Sequence, residues 1–294
     1  MDNPAPLFDA PVIETIRRRF SCRSFAERPI VAARQRDLQA FIDSLPPGPF
    51  GSRPRFGLVA ATVADRASLR GLGTYGFIRA AAGFIIGAIR PGEKFLEDYG
   101  YLMEAVILQA TRLELGTCWL GGTFTKSSFA AQIGLAAGES IPAVTAIGEF
   151  LYPGQGRRGL VSLVTEASRR LPWERLFFEA RSGTPLERAS AGSYAMPLSM
   201  LRLAPSASNK QPWRVFRDGP RWHFYLQRTP GYRQDPLKTL LGLCDLQRVD
   251  LGIALCHFEL TAREMKLAGH WEVAEPTLSP SAEQSEYIAS WVGE

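Results

Sequence analysis

Twenty residues of this chain recur 152 positions later, and the recurrence limits what the chain can fold into. Gly100 to Trp119 reads GYLMEAVILQATRLELGTCW, and Gly252 to Trp271 reads GIALCHFELTAREMKLAGHW. Gly100/Gly252, Leu108/Leu260, Ala110/Ala262, Leu115/Leu267 and Trp119/Trp271 are identical, and Leu113/Met265 and Gly116/Ala268 nearly match. Two apolar helices share Leu and Ala by chance, but a Gly at one end and a Trp at the other, equally spaced, are more specific. A period this long is unlike the short units of solenoid arrays. It predicts two related halves, residues 1–175 and 176–294, each presenting one long apolar helix to the other. That is the architecture of a homodimer joined into one polypeptide, and such a chain can exist as a monomer.

With 294 residues, 46% of them apolar, the chain can bury a large core. It holds no run of about eighteen uncharged apolar residues, so no membrane-spanning helix is expected. The N-terminus, MDNPAPLFDAP, lacks the basic and apolar regions of a secretory signal. Cys22, Cys118, Cys244 and Cys256 form no CxxC, and there are only three histidines, so a metal centre is not expected. Reduced thiols in a cytoplasmic protein fit this usage. The net charge of +5 comes from 29 Arg against 5 Lys. Arginine suits phosphate recognition, but codon bias and ordinary surface charge account for it better, and no aromatic-flanked basic stripe points to nucleic acid.

Pro11 opens a helical pattern that breaks at Ser21, and a second helix is expected from Val31 to about Ser44, ended by Pro46-Pro47. Strands are expected at Arg55–Thr62, Ala82–Ile89 and Val144–Leu151, with a buried helix over Gly100–Leu115. The second half repeats the order: a short helix before Pro205, strands near Trp213–Arg217 and Trp222–Gln227, and a central helix from Asp250. The class is α+β, with long helices packed on meandering sheets.

Gly71-Leu72-Gly73-Thr74-Tyr75-Gly76 satisfies GxGxxG, but polar, helix-like residues precede it where a dinucleotide site needs a buried strand, so it reads as a coincidental turn. His257 and His270 are expected on the second central helix as packing or surface residues. Two other segments carry more. In Arg19-Phe20-Ser21-Cys22-Arg23-Ser24-Phe25, two guanidinium groups and a hydroxyl can converge on one anion. In Ala204-Pro205-Ser206-Ala207-Ser208-Asn209-Lys210-Gln211-Pro212-Trp213, small polar groups held between prolines can lay donors and acceptors along a planar ligand.

Together these segments resemble the nitroreductase family of flavin mononucleotide (FMN) oxidoreductases, with its Arg-x-Ser-x-Arg-x-Phe-like stretch and Ala-Pro-Ser-x-x-Asn-x-Gln-Pro-Trp loop. Leu115 to Gly122 resembles the family's helix end and the turn beside the flavin, and Arg169-Arg170-Leu171-Pro172 its C-terminal basic pair. In the usual member, stretch and loop lie close together near the N-terminus, and each subunit lends its loop to the other's flavin. Here the loop lies in the second half. Pro46 to Arg55 stands in its place in the first half, and Ser182 to Ser193 shows no Arg-Ser-Arg. The chain thus resembles the internally duplicated, single-chain branch, the TM nitroreductase type, with one site split between its halves.

The resemblance implies FMN, reduced by NADH or NADPH, and hydride transfer from flavin N5 to a small-molecule acceptor: a nitroaromatic, a quinone or a similar conjugated compound. The cofactor carries the chemistry, so no catalytic side chain is implied. Arg19, Ser21 and Arg23 would hold the phosphate, ribityl and pyrimidine side, with Arg169 or Arg170 near the phosphate. Phe20 stands where the family often has a basic residue. Backbone N–H groups of Gly121 and Gly122 would approach N5, and Pro205, Ser206, Ala207, Ser208, Asn209 and Gln211 would close the site. A protein that binds flavin without turnover is the alternative.

Overall fold

A computed structural model describes residues 7–8, 11–60, 72, 74, 76–122, 124–150, 169–232, 244–277 and 285–294. The first half runs α1 (Val12–Arg18), α2 (Ala32–Asp43), β1 (Arg55–Ala60), β2 (Gly83–Ala88), α3 (Phe95–Arg112), β3 (Gly116–Leu120), α4 (Lys126–Ile133) and β4 (Val144–Gly148). The second runs β5 (Phe177–Glu179), α5 (Ala195–Arg202), β6 (Trp213–Asp218), β7 (Arg221–Gln227), α6 (Leu246–Glu264), β8 (Gly269–Glu272) and β9 (Ser285–Gly293). The first sheet is antiparallel in the order β1-β2-β4-β3, and the second reads β5-β6-β7-β9-β8. Apart from β5, which joins β6 in parallel, the two sheets share one topology: first, second, fourth, third strand, with the long helix after the second.

α3 and α6 pack against each other through the centre of the molecule, and both are buried on nearly every face. The repeated glycines make this approach close. A Cβ on Gly100 would strike the carbonyl oxygen of Val249, and one on Gly252 would strike that of Glu97. Each glycine thus faces the residue three positions before the other, so the contact is a pseudo-two-fold one. Backbone meets backbone here because no side chain intervenes.

The central helices end at Arg112 and Glu264, the second short of the expected His270, and each repeat then switches to strand. Glu114 and Lys266, 152 apart, both take left-handed φ, at 57° and 58°. Leu115 N–H then donates to Ala110 O and Leu267 N–H to Ala262 O, each at 2.9 Å, closing the helix ends with matching left-handed caps. Trp119 and Trp271 therefore lie on β3 and β8, and His270 sits on β8 rather than on the helix. α6 begins at Leu246, before the expected Asp250, because Asp245 caps it by accepting from Gln247 N–H at 3.2 Å. Other elements lie within a few residues of expectation. The GxGxxG glycines Gly71 and Gly73, and residues 61–62 of the first expected strand, lie outside the described residues.

Candidate functional site

The Arg19–Phe25 stretch is fixed by both halves. α1, which feeds it, docks its first turn on Glu264 at the end of α6, whose carboxylate accepts from Val12 N–H and, at 2.9 Å, from Ile13 N–H. The chain then runs along the free edge of β3. Ser21 bridges Thr117 in parallel, Cys22 N–H donates to Thr117 O at 2.8 Å, and Arg79 N–H donates to Arg23 O at 2.9 Å.

The Pro205–Gln211 loop connects α5 to β6 in a strained path. Ser208, Asn209 and Gln211 all have left-handed φ, at 51°, 53° and 50°. Asn tolerates this, but Ser and Gln adopt it only when their surroundings impose it. Ser206 Oγ accepts Gln211 N–H at 2.9 Å, and Asp250 of α6 receives Ala207 N–H on both carboxyl oxygens, at 2.9 and 3.1 Å.

Stretch and loop meet at a cavity of about 300 Å³ between the halves. Among the expected cofactor residues, Ser21, Arg23, Gly121, Gly122, Pro205, Ser206, Ala207 and Ser208 line it. Gly122 has open space where a Cβ would be, whereas a Cβ on Gly121 would strike the Leu246 side chain. Gly121 is thus required by packing against α6, and Gly122 is the position that leaves room.

The other expected residues sit behind the wall. Phe20 packs edge-on against Phe150, with ring centroids 5.2 Å apart. Asn209 and Gln211 hold the 169–171 segment: Asn209 Nδ2 donates to Arg169 O at 2.8 Å, and Gln211 Oε1 accepts Leu171 N–H at 2.8 Å. Arg170 donates to Asn209 Oδ1 at 3.0 Å and to Leu203 O at 2.8 Å. The loop's amides thereby bring Arg170 close to Arg19. Burial, with Arg19 and Arg202 beside it, lowers Arg170 to about 10. The Arg19 side chain is only 6% exposed, and its Nε has no hydrogen-bond partner, lying 3.6 Å from Glu104 Oε1.

Glu104 is fully buried on α3. It accepts Trp119 Nε1–H at 2.7 Å and lies 2.9 Å from His257 Nε2 of α6, while His257 Nδ1 lies 3.0 Å from Met200 O. The histidine is thus a buried polar tie between the halves. Trp119 is part of the cavity wall, as are Phe77, Ile78, Cys118, Leu120, Ala143, Leu246, Val249, Asp250 and Ile253, none of which was among the expected site residues. Burial pushes the Cys118 thiol up, against the pull of nearby Arg23. Phe77 stands 56% exposed. Asp250 was findable: carrying the repeat two residues upstream pairs it with Asp98.

That pair identifies the mirror position. Asp98 Oδ1 accepts Phe50 N–H at 2.8 Å and Oδ2 accepts Ser52 N–H at 2.7 Å, so Asp98 anchors the loop before β1 as Asp250 anchors the loop before β6. Counting back from Pro54 and Pro212, which immediately precede these strands, Phe50 corresponds to Ser208. Phe50 packs against Trp271, the counterpart of Trp119, with centroids 6.4 Å apart, within a cluster that includes Phe224, Phe258 and Trp291. Where the first position has a cavity wall, its mirror has aromatic rings packed tilted and edge to face. Among the described residues no helix is long and apolar enough to cross a membrane, and no group of three or more His, Cys, Asp or Glu could hold a metal.

The fold is similar to a crystal structure of a putative nitroreductase from Thermotoga maritima, at 18% identity and a TM-score of 0.60, covering 97% of this chain and 94% of that one. A nitroreductase with bound FMN from Bacteroides fragilis matches 51% of this chain and 96% of its own, at 20% identity and a TM-score of 0.38. A nitroreductase family protein from Clostridium difficile matches 55% and 94%, at 16% identity and a TM-score of 0.42. No curated protein matches the chain. The family model described as putative TM nitroreductase matches residues 11–262, and the chain belongs to that family.

Proposed function

We propose that this protein binds FMN in the cavity between its halves and acts as an oxidoreductase, taking hydride from NADH or NADPH and passing it to a nitroaromatic, a quinone or a similar conjugated acceptor. The observation that carries this reading is the convergence of Ser21 and Arg23, the strained Pro205–Ser208 loop and the Gly121-Gly122 turn on one cavity. A planar ligand fits such a wall, with Phe77 exposed at its side and Gly122 leaving backbone accessible. The Arg19 and Arg170 guanidinium groups, close together behind the cavity wall, suit a phosphate reaching past it.

In this reading Arg19 and Arg170 hold the phosphate, Ser21 the ribityl side and Arg23 the pyrimidine edge. A fixed guanidinium at that edge stabilises the negative charge that reduction brings. Bound flavin supplies the acceptance and release of hydride, so the chain's own work is to position, to set charge and to exclude water. The mirror position, filled by Phe50 and Trp271, takes no second FMN. The halves 1–175 and 176–294 then stand for the two subunits of an ordinary relative, their interface made internal by α3 and α6, and the chain can exist as a monomer.

A flavin absorbance band in the purified protein, bleached by NADH or NADPH without oxygen and restored by a quinone, is the expected result. A colourless protein that gains no band on adding FMN would overturn the reading. A band that neither nucleotide bleaches would leave a flavin-binding protein without turnover.

A further inference from the structure

Asp98 and Asp250 occupy equivalent positions on the two central helices but are used differently. Asp98 gives one oxygen to each of two amides, Phe50 and Ser52. Asp250 has a single amide, Ala207, shared between both oxygens, and the chain turns left-handed directly after it, at Ser208 and Asn209. The carboxyl of Asp98 is therefore consumed by its loop. That of Asp250 is buried, yet forms part of the cavity wall beside Trp119 and Ser206.

We infer that Asp250 is a specificity-determining residue of the cavity, acting as a neutral carboxylic acid that donates its proton in a hydrogen bond to a carbonyl or nitro oxygen of the acceptor. This rests on the oxidoreductase reading and names what that site selects. The surroundings favour the neutral form. Burial holds the Asp250 carboxyl well above the usual range, against the pull of the Ala207 N–H, and the charge of Asp245 at the start of the helix adds to it. Two arginines near the start of α6 are engaged elsewhere: Arg228 with Asp245 at 2.6 Å, and Arg248 with Glu97 at 2.5 Å. Tyr232, also near, has its own shift from burial and Asp245, and its oxygen accepts Leu246 N–H at 2.9 Å. Arg23 and the Cys118 thiol are the other titratable groups on the cavity wall. Among the described residues the only hydrogen-bond partner of Asp250 is the Ala207 amide, a donor, so the acid proton is left for a ligand oxygen. A compound presenting N–H groups there would find no free acceptor and be discriminated against.

The test uses 1,4-naphthoquinone bound to the oxidised holoprotein, followed through the flavin spectrum. Asp250→Asn keeps an oxygen for Ala207 and a donor for the ligand, so its affinity should stay within about twofold of the wild type. Asp250→Leu should lose roughly tenfold or more, the scale of one buried hydrogen bond left unmade. Asp98→Asn should leave affinity unchanged. Raising the pH should weaken binding to the wild type as Asp250 ionises and leave Asp250→Asn unaffected. Equal losses in the Asn and Leu variants would reduce Asp250 to a carboxylate or a loop anchor and overturn the proposal, as would full affinity in the Leu variant. If the protein binds no flavin, the oxidoreductase reading fails by itself. Naphthoquinone quenching of tryptophan fluorescence, with Trp119 in the wall, then still tests Asp250 by the same variants.

Discussion

The two loops that precede β1 and β6 start from the same design and end in opposite states. Both hang from an aspartate at the same place on a central helix, and both face a tryptophan on the strand that follows it. In one, Phe50 turns inward and the space becomes hydrophobic core. In the other, Ser208 stands at that position and the space remains a cavity. The comparison teaches that one backbone scaffold can enclose a cavity or a packed core, and that side-chain volume and loop conformation decide which.

The strongest way to break the comparison is at the crossing shared by both halves. Gly100→Leu and Gly252→Leu should each destabilise the fold by about 3 kcal/mol or more, because the obstruction is backbone and cannot rotate away. Denaturant unfolding measures this. A large loss in one variant and none in the other would show that the two glycines are not equivalent.

Arg23 sharpens the contrast in charge. Arg23→Ala should weaken FMN binding by roughly 1.5–3 kcal/mol and lower the flavin potential, as expected for the loss of a charge-assisted contact. Unaltered flavin content together with an unaltered potential would remove Arg23 from the site.

Exchanging the plug comes next. Ser208→Phe should copy the closed state and expel most of the FMN, while Phe50→Ser should cost about 1–2 kcal/mol of stability, for a half-buried ring, without adding a site. Heat-released flavin per chain should approach one in the wild type and in Phe50→Ser. A ratio near two in either would contradict a single split site.

The smallest effect concerns an acid-labile tie confined to the first half. Arg55, the first residue of β1, binds Glu139 and the carbonyls of Ile133 and Gly134 at the end of α4, whereas Trp213, the first residue of β6, is buried instead. The Arg55 guanidinium holds Glu139 down to about 2. Its folded value lies below its unfolded value, so this stabilisation is present above about pH 4.5 and fades as pH falls toward 2. Glu139→Gln should be the less acid-sensitive protein in thermal unfolding between those values. Identical pH profiles would show the tie contributes nothing.

Much of this was legible in the residues, for physical reasons. Gly100 and Gly252 showed themselves because no other residue permits the helix approach, and the loop because its prolines and small polar groups form a specific string. The helix-to-strand switch inside the repeat was not legible, because Glu114 and Lys266 carry no residue-level sign of their left-handed φ; glycine would have given one. Asn209 and Gln211 look like ligand groups in sequence. Only the fold shows that they spend their amides on the Arg169–Leu171 backbone. The cavity residues of α6 were missed because an almost wholly buried helix has no polar face to mark which side meets a site.

The crossing at Gly100 and Gly252 lies within one chain, and this changes what a single substitution can do. In a symmetric pair of identical subunits every change is written twice, so a phenylalanine that closes one site closes both. Here the codon for position 50 and the codon for position 208 are separate. One position can be filled to strengthen the core while its counterpart stays an open cavity, and a change that reshapes that cavity need not be tolerated in a second, identical setting.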